Sequence, residues 1–184
     1  GESRYLQGNR EGAIASYQKL VEEHPESGLR SDALYALGVA HEEMGQFPAA
    51  GKVYDTTLEE LGESDQVSAA LNTEGFASSD HATYRQALCA SKQGKYAEAG
   101  ELYAKVADNP KSVYVKEATI DAGRSFYQAG KWDEAAARLR KSLELGGAEV
   151  PEAAHWLARI LIDQQKKYAE AAKLAAETIP KAEG

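Results

Sequence analysis

The sequence holds a single cysteine, Cys89, so no intrachain disulfide can form, and a lone buried-type thiol fits either side of a membrane. It has no apolar run near the ~18–20 residues needed to cross a bilayer, and its opening "GESRYLQG" lacks the basic and apolar regions of a signal peptide. Positive charge is also in deficit. A formal net charge of −8 gives no bulk attraction to nucleic-acid phosphates, so no nucleic-acid partner is expected.

What the chain has instead is a pattern used five times. "GNREGA" (8–13), "GQFPAA" (45–50), "GKYAEA" (94–99), "GKWDEA" (130–135) and "KKYAEA" (166–171) share a turn residue followed five places later by alanine. Those alanines, Ala13, Ala50, Ala99, Ala135 and Ala171, lie 37, 49, 36 and 36 residues apart. A fixed period of about 36 residues is the signature of a stacked repeat array.

Within one repeat the apolar spacing is helical. In "SDALYALGVAHEEMG" (31–45), Leu34, Leu37, Gly38 and His41 fall on one face, and Gly45 can take the left-handed conformation that closes the helix. After the turn, Phe47, Ala50, Val53, Tyr54 and Thr57 mark the packed face of a second helix. Small residues are expected to oppose one another across each pair (Gly38 with Ala50, Ala87 with Ala99, Gly123 with Ala135). Tyr54, Tyr103 and Leu139 are expected to fill the gap toward the neighbouring repeat.

The small–aromatic–Ala–large series in this register resembles the tetratricopeptide repeat. The resemblance implies an all-α fold, antiparallel helix pairs stacked as a right-handed α-solenoid. Two linkers, "PESGLRSDALYALG" (25–38) and "PKSVYVKEATIDAG" (110–123), both read Pro-x-Ser with Ala eight and Gly thirteen places after the proline. They are similar to the repeats of bacterial envelope proteins of the Tol–Pal-associated and outer-membrane-assembly lipoprotein type. That likeness implies a periplasmic or cell-envelope location, with the cytoplasm as the alternative.

The array divides as a truncated repeat over 1–27, repeats over 28–61, 80–111, 112–147 and 148–184, and an insertion over 62–79. Because the first repeat keeps only "GESRYLQ" of its leading helix, further repeats are expected upstream, leaving Ile14 and Tyr17 partly uncovered. The Ser, Gly, Asn and Asp content of 62–80 reads as a mobile loop with a short helix near Val67–Leu71.

Catalytic patterns fail one at a time. "HEEMG" (41–45) begins like a zinc-protease helix, but Gly45 stands where the second histidine belongs, so it reads as an interface His41 with two solvated glutamates. Cys89 reads as a core residue, since the repeat places no histidine beside it, and His24, His81 and His155 are scattered. Neither "GK" pair has a phosphate cradle. No enzyme activity, metal or cofactor is expected. "RLRK" (138–141) and "QQKK" (164–167) read as solvated helix faces, and Ala36 occupies the place of the Asn that a carboxylate clamp would use.

The groove of the array remains. Two residues beyond the alignment alanine of each leading helix stand Tyr35, Tyr84, Ile120 and Trp156, and one turn further Val39, Leu88, Arg124 and Ile160, with Arg85 beside them. Aromatics with a few charges suit an extended peptide or a partner helix. The alternative for these rings is padding between helices. The expected function is a non-enzymatic protein-binding scaffold within a larger bacterial protein; the alternative is a structural module that self-associates.

Overall fold

The computed structural model describes residues 1–71 and 79–182, all of them in helices or the short turns between, with no strand among them. They divide into two compact units, Gly1–Gly94 and Lys95–Gly184.

The first unit holds α1 (Glu2–Leu6), α2 (Arg10–Glu23), α3 (Arg30–Glu43), α4 (Phe47–Leu71) and α5 (Ser79–Lys92). Asn9 caps α2, its side chain accepting from the Gly12 N–H at 2.8 Å. The turns before α2 and α4 are made by Gly8 and Gly45 at φ 78° and 70°, backbone that a side chain rarely tolerates. In α3 the face Leu34, Leu37, Gly38 and His41 is buried as the periodicity requires, and Ala13, Ala50, Tyr54 and Thr57 are fully enclosed. A Cβ on Gly38 would lie 2.5 Å from the Tyr54 ring. The glycine therefore seats the large residue of its own helix pair, and the Tyr54 ring also shares a cluster with Cys89 of the next repeat, the gap it was expected to fill. Ile14 and Tyr17 are half-buried.

Helix α4 runs on to Leu71 without a break. The first part of the segment read as a loop is thus helix, which crosses the boundary placed at residue 62. Acidic and small residues such as Glu63 and Ala69 carry no helix-breaking proline, so the preceding helix can propagate through them. The mobility expected of this insertion lies, for residues 72–78, outside the described residues.

The second unit holds α6 (Tyr96–Ala107), α7 (Val115–Gln128), α8 (Trp132–Leu145), α9 (Val150–Arg159) and α10 (Tyr168–Ala182). A π-helical turn, Ile160–Gln164, ends α9. Gly130, at φ 74°, turns α7 into α8; the corresponding turn before α10 is made by Lys166 at φ 55°. Small residues again receive large ones. Gly100 seats Phe126, and Gly123 seats Leu139, with nearest approaches of 2.7 and 2.8 Å to an added Cβ. Ala99, Ala135 and Leu139 have no exposed surface, and Ala171 has 5%.

Ion pairs repeat with the helices. Glu101–Lys131, Asp108–Arg138 and Arg140–Glu170 each join residues thirty apart in the second unit, at 2.9, 2.6 and 2.6 Å, and Arg30–Glu60 does so in the first at 2.6 Å. The "RLRK" run is thus committed to carboxylates: Arg138 and Lys141 both hold Asp108, and Arg140 holds Glu170.

Candidate functional site

In the first unit the leading helices α3 and α5 meet along a layer of rings backed by an ion pair whose carboxylate is enclosed. Tyr35 lies in α3 with its ring centroid 6.1 Å from Tyr54 and 5.6 Å from His81. It is 8% exposed, enclosed in a cluster with Ala50, Tyr54 and Cys89 against which Val39 and Phe47 pack. Tyr84, Arg85 and Leu88 of α5 are half-buried.

Behind these rings lies Glu42. Its carboxylate accepts the Tyr54 hydroxyl at 2.7 Å and Arg85 Nη1 at 2.9 Å, and its side chain is only 8% exposed. The neighbouring Glu43 faces the other way and holds Arg10 and the Tyr5 hydroxyl. One of the two glutamates read as solvated is therefore interior, because Arg85 arrives from 43 residues away to neutralise it. Burial, then the Glu42 charge and hydrogen bond, raise the Tyr54 hydroxyl well above its ordinary value. Burial opposes the charge on Arg85, but Glu42, Tyr35 and Tyr54 outweigh it and raise that group as well. The Cys89 thiol is pushed up to about 12 by burial and then by Glu42, which disfavours the reactive thiolate at neutral pH. His41, beside Glu42, is buried with Nδ1 2.6 Å from Gln46 Oε1.

The second unit presents a more open surface on α7 and α9. Trp156 is half-buried, its Nε1 donating to Glu152 Oε1 at 3.2 Å and its ring 4.8 Å from that of Tyr127. Tyr127 also meets Trp132 edge-on at 5.2 Å. Arg124 donates to Asp121 at 2.6 Å and to Glu152 at 3.1 Å. Arg159 lies over both the Tyr127 and Trp156 rings, its guanidinium carbon 5.4 Å from each centroid. Three aromatics and two arginines thus share one accessible face of a single unit, the residue types that dominate binding energy in protein interfaces.

Of the nine residues expected in the groove, Tyr35, Ile120 and Ile160 are enclosed, at 8%, 5% and 0% exposure. They pack the layer from behind and offer a ligand little or nothing. For Ile160 the reason is local: it continues the buried stripe of Ala153 and Leu157 at helical spacing, so its own helix turns it inward although Arg124 is the residue 36 places earlier. Val39, Tyr84, Arg85, Leu88, Arg124 and Trp156 keep accessible surface. Tyr127, Trp132 and Arg159 were not anticipated. The signal lay in spacing, since Tyr127 is seven residues beyond Ile120 and Arg159 three beyond Trp156, on the same helical faces. Among the described residues, no group of three His, Cys, Asp or Glu side chains could hold a metal ion. No helix among them is long and apolar enough to cross a membrane.

Comparison with known proteins bears on the architecture. Models of the tetratricopeptide repeat match residues 1–65 and 120–184, and a second such model matches 81–112. The chain belongs to the tetratricopeptide repeat family. Solved structures agree. MamA residues 41 to the end from Desulfovibrio magneticus RS-1 superimposes with a TM-score of 0.66 at 17% identity, covering 97% of this chain and 89% of that one. BtubC (BKLC) from P. vanneervenii gives 0.67 at 14%, covering 98% and 74%. A Podosopora anserina protein of nearly identical TPR-like repeats gives 0.61 at 17%, covering 98% and 92%. At these identities the likeness concerns the fold. No curated protein sequence matches the chain. A tetratricopeptide fold is a scaffold for protein–protein interaction, and the ring-bearing faces of α3, α5, α7 and α9 are leading-helix faces in that fold.

Proposed function

We propose that the chain is a non-enzymatic adaptor, part of a larger bacterial envelope protein, that holds an extended peptide or a partner helix on its leading-helix faces. The observation that carries this reading is the accessible ring-and-arginine surface of α7 and α9, formed by Arg124, Tyr127, Trp156 and Arg159. In the first unit Tyr84, Leu88 and Val39 supply the corresponding surface over the enclosed layer of Tyr35. The envelope location rests on the two Pro-x-Ser linkers, and osmotic-shock fractionation of the natural protein tests it. A photo-crosslinking amino acid placed at Tyr84 or Trp156, and as a control at the exposed Lys105 of α6, tests the binding surface. The same partner should be captured from the first two positions and not from the third. Equal capture at Lys105, or capture there alone, would move the site elsewhere.

One feature favours self-association as a second reading. Ala172 and Ala175 of α10 are exposed, whereas their counterparts 36 residues earlier, Ala136 and Leu139, are buried at 1% and 0%. Light scattering over a wide concentration range separates the two: a fixed monomer mass excludes this alternative.

A further inference from the structure

Two cations beside the ring surface of the second unit are held by carboxylates, and Arg159 is not. Arg124 is held by Asp121 and Glu152, and Lys131 by Glu101. Arg159 is exposed, and among the described residues no carboxylate lies within ion-pair distance of it; its contacts are the Tyr127 and Trp156 rings. A guanidinium held by ring quadrupoles rather than by a carboxylate keeps N–H donors for a further acceptor. The guanidinium fork fits a carboxylate with two parallel hydrogen bonds. The adjoining rings of Tyr127 and Trp156, both half-buried, offer apolar contact for whatever sits beside that carboxylate.

We infer that Arg159 receives an Asp or Glu side chain of the bound peptide, with an apolar peptide residue against Trp156 and Tyr127. The inference rests on the adaptor reading and adds to it the chemistry of the ligand. The formal charge of −8 repels an acidic peptide from most of this surface, so the attraction has to come from Arg159 itself. Arg159, with no carboxylate partner among the described residues, therefore fixes where such a peptide can settle, and Arg124, already held by two carboxylates, does not compete for it.

The test uses the full chain as bait for a phage-displayed library of random linear peptides. Enriched peptides are synthesised, and their affinities are measured by fluorescence anisotropy against the parent protein, Arg159→Gln and Arg159→Lys. Arg159 is exposed, so both variants should keep the parent's helicity by circular dichroism. Peptides enriched in Asp or Glu beside an apolar residue are expected. Replacing the acidic residue by its amide should weaken binding to the parent about tenfold and binding to Arg159→Gln hardly at all. Arg159→Lys, which keeps the charge without the planar fork, should fall between them. Binders that show no acidic preference, or whose amide forms lose as much with Arg159→Gln as with the parent, would overturn this inference and leave the adaptor reading intact if their binding still depends on Trp156. A library that yields no binder would remove both.

Discussion

Replacing Glu42 by Gln changes one atom in a site where an enclosed tyrosine and a half-buried arginine meet one carboxylate. Glu42 is helical and its side chain 8% exposed, so glutamine keeps the shape, and the loss is electrostatic. Two hydrogen bonds converge on the carboxylate, from Tyr54 and from Arg85, the second charge-assisted. Hydrogen bonds to charged groups contribute about 1.5–3 kcal/mol, and breaking a fully buried pair costs about 3–5 kcal/mol. Arg85 retains 35% of its side-chain surface, so water recovers part of the loss and the lower figures apply. The expected cost of Glu42→Gln is about 2 kcal/mol. For a chain of this size that corresponds to a fall in Tm of about 4–8 °C.

Urea unfolding followed in parallel by circular dichroism and tryptophan fluorescence measures it well, because both tryptophans, Trp132 and Trp156, lie in the second unit. The dichroism midpoint, which reports both units, should shift. Arg85→Ala should cost a similar amount, and the double variant less than the sum of the two, since the second change removes a partner already lost. A Glu42→Gln midpoint within about 0.5 kcal/mol of the parent, or strict additivity, would refute the reading of Glu42 as an interior anchor. Confirmation would also settle how Arg85 differs from Arg159. The first is spent on its own fold, so its truncation disturbs binding through stability.

Lys166→Gly should raise stability by about 0.5 kcal/mol in thermal melts: relief of a left-handed non-glycine residue, about 1 kcal/mol, exceeds the extra chain entropy of glycine and the loss of the exposed Lys166 Nζ bond to the Asp163 carbonyl. Gly38→Ala should lower it by about 1–2 kcal/mol in urea unfolding despite alanine's better helix propensity, because its Cβ would enter the space of the enclosed Tyr54 ring; a stabilised variant would show that the ring can move aside. Asp108 is held down to about 2 chiefly by its hydrogen bond to Arg138 and also by Lys141. Its folded value lies below the unfolded one of about 3.9, so the stability it supplies is complete above that pH and is lost as the pH falls toward 2. With 53% of the side chain exposed, solvent limits this to about 1 kcal/mol or less, and Asp108→Asn should lower stability by that amount at neutral pH, leave it unchanged near pH 2, and so flatten the acid limb of the profile.

What could be read from the sequence is what the repeat imposes on one helix pair at a time. The fifth-place alanine must be enclosed wherever two helices cross closely, and the turn glycine must take positive φ, so Ala50 and Gly45, or Ala135 and Gly130, announce themselves by spacing. Glu42 and Glu43 do not. They are the same residue in adjacent places of one helix, and only the arrival of Arg85 from the next leading helix makes the first interior while Arg10 claims the second. Arg159 was missed for the converse reason: it departs from the repeated column, standing where the previous leading helix has Gly123, and a reading that follows matching positions passes over it. Ile160 falls on the buried stripe of Ala153 and Leu157, so the column matched across repeats places it in the groove while its own helix places it inside. Repetition thus encodes the scaffold, whereas the groups that distinguish one face of this chain from another, the interior carboxylate and the unmatched arginine, lie where the copies differ. Substitutions at repeated positions should accordingly be felt first as stability, and substitutions at Tyr127 or Arg159 first as choice of ligand.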